Sequence, residues 1–264
     1  MARKPLRIVQ ISDIHLFGES EKTLLGVNTN ESFEAVVKLL KTDQKPELIL
    51  LSGDLSQDGS KASYLKIAAK LKEFAIPIYY VPGNHDDPKM LGETYPLENI
   101  THHRHIVLKD WHIILLNSQK IGAVEGYLDP AQISFLQHCL QMYPEHHAMV
   151  VFHHQPVLMN CAWLDKLGLT NADELWTVLG GFPKMRAILF GHVHQQHAGK
   201  KNGIQYFSAP STCIQFKTQS DHFALEKLPP GYRWIDLYSD GSLSTDISRT
   251  SDYVGEFDVD AKGY

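Results

Sequence analysis

Cysteine is scarce: Cys139, Cys161 and Cys213 are odd in number, far apart, and form no Cys-x-x-Cys pair. That leaves no disulfide framework and suits a reducing cytoplasm. No apolar run approaches the eighteen residues a membrane span needs, and Met1 to Arg7 carries charge but lacks the apolar stretch of a secretory signal. The expectation is a cytoplasmic chain with no membrane partner. An excess of positive charge is also missing: the net charge is −5 and the pI about 6.3, which argues against a constitutive nucleic-acid binder. Internal repeats and low-complexity segments are absent too.

What is present is an ordinary globular composition, 43% hydrophobic and 21% charged, with ample material for a core. The length fits one domain over residues 1–250, with a loose tail at 251–264 that is acidic and carries two glycines. Histidine is the oddity, at fifteen residues. Of these, His102, His103, His105, His146 and His147 read as solvated residues of surface connections.

The first half alternates strand and helix. Strands run Arg7–Ser12, Leu48–Leu51 and Ile76–Val81. Between them lie a helix from Asn30, capped by Asn30 itself, and a helix from Ser60 to Phe74 that turns Leu65, Ala68 and Ala69 inward. This order implies parallel strands, and in such sheets functional residues gather at the carboxyl ends. Further strands are expected at Trp111–Asn117, Ala148–Phe152 and Ala187–Phe190, and helices after Asp129-Pro130 and Thr170-Asn171. Beyond Ser208 the pattern turns β-rich, with strands at Tyr232–Tyr238 and Ser242–Ile247; this stretch is a candidate homodimer contact. The expected fold class is α/β, with two sheets packed face to face and helices outside.

Five polar motifs sit where predicted strands end: Asp13-x-His15, Gly53-Asp54, Gly83-Asn84-His85-Asp86, His153-His154 and Gly191-His192-x-His194. Two divalent metal ions side by side need about seven protein donors and a bridging carboxylate. Asp13, His15, Asp54, Asn84, His153, His192 and His194 supply that set. Mixed nitrogen and oxygen donors suit Fe²⁺, Mn²⁺, Zn²⁺ or Co²⁺ better than Ca²⁺ or Mg²⁺. The i, i+2 spacing of Asp13 with His15, and of His192 with His194, turns each pair to one side of a strand end. Two cations against two carboxylates leave the site positive and suited to a phosphate ester.

The ordered set Asp-x-His, Gly-Asp, Gly-Asn-His-Asp, His-His, Gly-His-x-His resembles the calcineurin-like metallophosphoesterase superfamily over Ile8 to His194. Leu24–Thr29, Cys161–Asp165 and Pro210–Lys217 narrow the resemblance to the bacterial class III 3′,5′-cyclic AMP phosphodiesterases. The resemblance implies a four-layer αββα sandwich of two mixed sheets with a β-rich C-terminal extension. It implies one metal on Asp13, His15 and His194, a second on Asn84, His153 and His192, and Asp54 as the bridge; His153 is preferred to His154 on the same ground. It also implies catalytic roles for His85, against the phosphate, and for Asp86, orienting His85. His15, Asp54, Asn84, His85 and His194 would surround the bound nucleotide. The implied reaction is in-line attack by a hydroxide held between the metals, giving 5′-AMP from cyclic AMP. Phe17, Trp163 and Phe216 are aromatic candidates for stacking the base. A broad-specificity phosphodiesterase or nucleotide pyrophosphohydrolase would use the same site, and a non-catalytic scaffold could share the fold. The intact donor set speaks against a scaffold, and the acidic charge against a nuclease.

Overall fold

Three separate apolar cores divide the molecule into four layers. The computed structural model describes residues 4–251, 253, 255–258 and 260–263. One six-stranded sheet runs Leu243–Arg249, Gly231–Leu237, Leu6–Ile11, Leu48–Ser52, Ile78–Val81, Ile100–Thr101 in spatial order. The other runs His197–Lys201, Ile204–Ser208, Met185–Phe190, His147–Val151, Trp111–Leu115, His105–Leu108. Each has parallel inner strands and antiparallel strands at its margin, so both are mixed.

Alternation along the strands sorts the cores. Ile8, Leu48 and Leu50 meet Ile113, Leu115, Met149, Val151 and Leu189 between the sheets. The opposite parity of the first sheet, Val9, Ile11, Ile49 and Leu51, packs under α1 (Thr29–Thr42) and α2 (Lys61–Leu71). The outer face of the second sheet, with Ile114, Val150, Ile188 and Phe190, lies under α4 (Pro130–Met142) and α5 (Ala172–Gly180); a short α3 (Pro88–Thr94) follows strand Ile78–Val81 of the first sheet. This is the expected αββα sandwich.

Local departures have plain causes. The α1 cap is Asn28, not Asn30: its side chain accepts from the backbone N–H groups of Asn30 and Glu31. Helix α2 buries Tyr64, Ile67, Ala68 and Leu71 and leaves Leu65 42% exposed, so the apolar face is rotated from the expected one. Asn171 precedes α5 without capping it, because its amide is spent on both backbone groups of Leu128. His105 and His147 are not loop residues: both lie in strands, and His147 is buried against the Trp111 ring. The stretch beyond 250, expected as loose, is partly held. Asp258 N–H donates to the Leu25 carbonyl (2.9 Å), and Phe257 packs on the outer core of the second sheet. The β-rich part after Ser208 completes the first sheet, Gly231–Leu237 pairing antiparallel with Leu6–Ile11.

Both sheets end their parallel strands at one rim of the sandwich. Gln10 ties the rim together, its amide donating to Ser52 Oγ in its own sheet and to the Phe190 carbonyl in the other (2.9 Å each).

Candidate metal centre

Backbone conformation already marks this rim. Asp13, His15, Asp54, His192 and His194 adopt positive φ (53°, 49°, 50°, 67° and 46°). Each such non-glycine residue costs about 1–3 kcal/mol and persists only where surrounding structure enforces it. The enforcement is visible: Asp13 N–H donates to Gly53 O (3.0 Å) and His15 N–H to Asp54 O (2.9 Å). Asp13 in turn accepts from His192 N–H (3.0 Å) and Asp54 Oδ1 from His85 N–H (2.8 Å). The i, i+2 pairs therefore turn inward through left-handed turns just past the strands, not through strand alternation. Gly83 is required by close approach, since a Cβ there would lie 2.2 Å from Asp54 Oδ1.

The side chains converge. Ligand-type atoms of Asp13, His15 and His194 lie within 4.8 Å of one another, as do those of Asp13, Asp54 and His153, of His15, Asp54 and His85, and of His153, His154 and His192. Asp54 Oδ2 stands between the two halves, 3.2 Å from His153 Nε2 and 3.8 Å from His15 Nε2. Six of the sequence-predicted ligands, Asp13, His15, Asp54, His153, His192 and His194, thus fall in overlapping groups, and Asn84 lines the adjoining cavity with His192.

Tautomers follow from the outer partners. His153 Nδ1 lies 2.8 Å from Ser52 O and His194 Nδ1 lies 2.9 Å from Ile214 O. A carbonyl only accepts, so Nδ1 holds a proton and Nε2 is the nitrogen that faces the cluster. His15 follows suit, with Nδ1 2.6 Å from Gln57 Oε1. His154 differs: Nδ1 meets Ser118 Oγ (2.8 Å) and Nε2 meets the Val124 carbonyl (3.0 Å). Both its nitrogens are engaged outside the cluster, which favours His153 as the donor, and its ring braces that of His192 at 4.8 Å.

Electrostatics follow burial. Burial drives His15 down to about 3 and His192 well below its ordinary value. Burial also opposes protonation of His153, yet the adjacent Asp54 carboxylate lifts it to about 9. Burial alone would raise Asp54, but His153 and His85 hold its carboxyl well below the usual range.

A divalent cation fits this donor set. Asn84 Oδ1 and both ring nitrogens of His192 are buried and have no hydrogen-bond partner among the described residues, and beside them Asp54 Oδ2 and His153 Nε2 face each other at 3.2 Å. Buried polar atoms are rarely left so, and acceptors converging on one point call for positive charge.

Asp86 is placed otherwise than expected. Its carboxylate accepts from the N–H groups of Gly83 (2.9 Å), Ser56 (3.0 Å) and Leu55 (3.1 Å) and from Tyr64 OH (3.2 Å). It staples the Gly83–Asp86 turn to the Asp54 loop. Among the described residues it makes no hydrogen bond to the His85 imidazole.

A cavity of about 370 Å³ beside the cluster is lined by the polar Asn84, His85 and His192, by the aromatic Trp163, Phe216 and Phe223, and by Lys262 and Gly263 near the C-terminus. Phe17 is not part of its lining; it packs on the outer core of the second sheet. Phe223, Gln57 and Ser118 were not singled out in the sequence, because none sits in a motif and each acts through a partner distant in the chain.

A model of the calcineurin-like phosphoesterase family matches residues 6–196. The chain belongs to that family, whose members work with a pair of divalent metal ions. Among its relatives, the 3′,5′-cyclic adenosine monophosphate phosphodiesterase CpdA of Escherichia coli is 39% identical over 98% of this chain and 95% of its own length. CpdA of Pseudomonas aeruginosa is 38% identical (97% and 94%), and a 3′,5′-cyclic-nucleotide phosphodiesterase of Nostoc is 38% identical (93% and 92%). A dimetal phosphatase of Danio rerio shares the fold at a TM-score of 0.67 and 12% identity, covering 94% of this chain and all of its own. No helix among the described residues is long and apolar enough to cross a membrane.

Proposed function

We propose that this chain is a dinuclear-metal phosphodiesterase that hydrolyses 3′,5′-cyclic AMP to 5′-AMP. The observation that carries the reading is the junction of two features: a buried cluster of unpartnered metal-type donors, and a cavity of nucleotide size opening directly from it. The names borne by relatives of near-equal length at 38–39% identity agree with it.

Asp13, His15 and His194 would hold one divalent ion, Asn84, His153 and His192 the other, and Asp54 would bridge them. Such a pair supplies an activated water and positive charge against the phosphoryl oxygens; Fe²⁺ or Mn²⁺ suits the mixed donors. The chain's own groups do the rest. Ser52, Ile214 and Gln57 fix which imidazole nitrogen faces inward on His153, His194 and His15. His85 is half-buried at the cavity edge, its backbone N–H pinned by Asp54 and its ring edge-on to His15 at 5.0 Å. From there it can hydrogen-bond a phosphoryl oxygen and give a proton to the departing 3′ oxygen. Asp86 keeps the His85 turn in place through the backbone.

The test is product analysis by the Mn²⁺-loaded protein on 3′,5′-cyclic AMP, 2′,3′-cyclic AMP and bis(p-nitrophenyl) phosphate, beside Asn84→Ala. Formation of 5′-AMP, lost in the variant, is expected. Turnover of the other esters alone would discard the cyclic AMP assignment.

A further inference from the structure

His154 is the histidine of its pair that the metal reading leaves without a task, yet it is fully buried and both its ring nitrogens are engaged. The Val124 carbonyl only accepts, so Nε2 carries the proton and donates to it (3.0 Å), while Nδ1 accepts from the Ser118 hydroxyl (2.8 Å). Ser118 Oγ in turn accepts from the backbone N–H groups of His153 and His154 (3.3 Å each). One imidazole thus fastens two points of a single loop to the strand end that carries His153.

That loop is closed on itself. Residues 118–127 contain no helix or strand, and the Tyr127 N–H donates to the Ser118 carbonyl (2.9 Å) across the neck. Gly126 passes so close to the His154 ring that a Cβ there would lie 2.4 Å from Cγ. On the other limb the Gln119 amide donates to the Asp86 carbonyl (2.6 Å), which ties the loop to the turn presenting His85. Its outward side is apolar and open: Ala123 and Val124 line the cavity that Asn84, His85 and His192 also line, and Val124 stays 47% exposed. An apolar tip held by buried polar anchors beside a phosphate-type site suits a ligand that carries an apolar face next to its phosphate.

We propose that the Ser118–Gly126 loop walls the nucleoside part of the substrate site, with Ala123 and Val124 against sugar and base and the cyclic phosphate at Asn84 and His85, and that His154 is the positioning residue that holds this wall. The role rests on the phosphodiesterase reading and deepens it. The first histidine of the pair serves the phosphate end, and the second serves the nucleoside end through the loop.

Titration calorimetry of the Mn²⁺-loaded proteins with two probes separates the ends of the site: inorganic phosphate, and 5′-AMP, which adds a nucleoside. Val124→Ser removes apolar surface at an exposed position. Its Kd for 5′-AMP should rise about tenfold, the worth of one apolar side-chain contact, and its Kd for phosphate should stay as in the parent. KM for cyclic AMP should rise in step with kcat little changed. His154→Phe keeps a ring and removes both anchors; it should show the same selective loss, with the manganese content of the parent by elemental analysis. His154→Gln, whose amide N–H can still donate to the Val124 carbonyl, should recover most of that loss. Gln119→Ala cuts the tie to Asp86 and should give a smaller loss of the same selectivity, which decides the matter if His154→Phe does not fold. Equal weakening of phosphate and 5′-AMP, or loss of manganese, would make His154 a support of the metal-type donors and overturn its role at the wall. An unchanged Kd for 5′-AMP in Val124→Ser would overturn the wall itself. If the parent binds both probes but does not turn over cyclic AMP, the functional reading fails, and the ratio of the two Kd values still decides the role of the loop.

Discussion

His15 and His194 bring their Nε2 atoms to 3.0 Å, although both are fully buried and each has its Nδ1 engaged elsewhere, with Gln57 and with Ile214 O. In the neutral rings these are two lone pairs facing one another, an arrangement that favours a shared cation. Chelation followed by desalting should therefore abolish turnover, and Mn²⁺ or Fe²⁺ should restore it. At a hundred times the dissociation constant the metal should add about 2.7 kcal/mol of stability. For a chain of this size that is a rise of about 5–10 °C in melting temperature. Superimposable melting curves with and without metal would count against the assignment.

Asp54→Asn keeps the shape of the side chain proposed to bridge the metals and removes its charge. Since even outer partners of metal ligands are worth about 10–100-fold, activity should fall by at least about 100-fold. Elemental analysis should find fewer metal ions per chain than in the parent. Full metal content with full activity would rule out a bridging role.

His85→Gln should behave differently. The side chain is at the cavity edge, so metal content should be unchanged while kcat falls about 10²–10⁴-fold, the usual worth of a proton donor. A loss confined to KM would make His85 a binding group only.

Asp86→Ala should act on stability before chemistry. It strands the Gly83, Leu55 and Ser56 N–H groups and Tyr64 OH. At about 1–3 kcal/mol for each buried group left unmade, a loss of about 3 kcal/mol or more is expected in urea denaturation. Asp86→Asn, which retains an acceptor, should be milder. A variant as stable as the parent would show that the staple is not needed.

Part of the pH dependence should arise at His112, outside the metal-type cluster. Burial, and then neighbouring His105 and His146, push His112 down to about 4, with His105 Nε2 3.1 Å from its Nδ1. A histidine whose folded pKa is depressed binds more protons when unfolded, so its contribution is full above about 6.5 and is lost as pH falls toward 4. Replacing His112 with Gln should flatten this acid limb of the melting-temperature profile. A parallel profile in the variant would locate the acid sensitivity elsewhere.

The donor types were legible because a metal site demands residues whose chemistry few other roles need. The ordered Asp-x-His, Gly-Asp, Gly-Asn-His-Asp and Gly-His-x-His motifs each followed an apolar run, and the Asp and His side chains among the predicted ligands come within reach of one another. Asp86 was misplaced for a complementary reason. A carboxylate beside a histidine in sequence can serve the ring or the backbone, and only the positions of Leu55, Ser56 and Tyr64 choose between them. The α1 cap and the buried face of α2 were misjudged by one or two residues, which periodicity tolerates because several polar residues flank each helix start.

The sequence by itself determined the layer order, the strand ends as the place where the polar motifs gather and the donor types they offer, since these depend on local pattern and on side-chain type. Tertiary structure alone decided the rest. The carbonyls of Ser52 and Val124 set which nitrogens of His153 and His154 are engaged. The left-handed turns of Asp13, Asp54 and His192 are held by hydrogen bonds to groups remote in the chain, and the aromatic end of the cavity joins Trp163 to Phe216 and Phe223 across loops. Such relations depend on which groups meet after folding, and no local pattern in the sequence encodes that meeting.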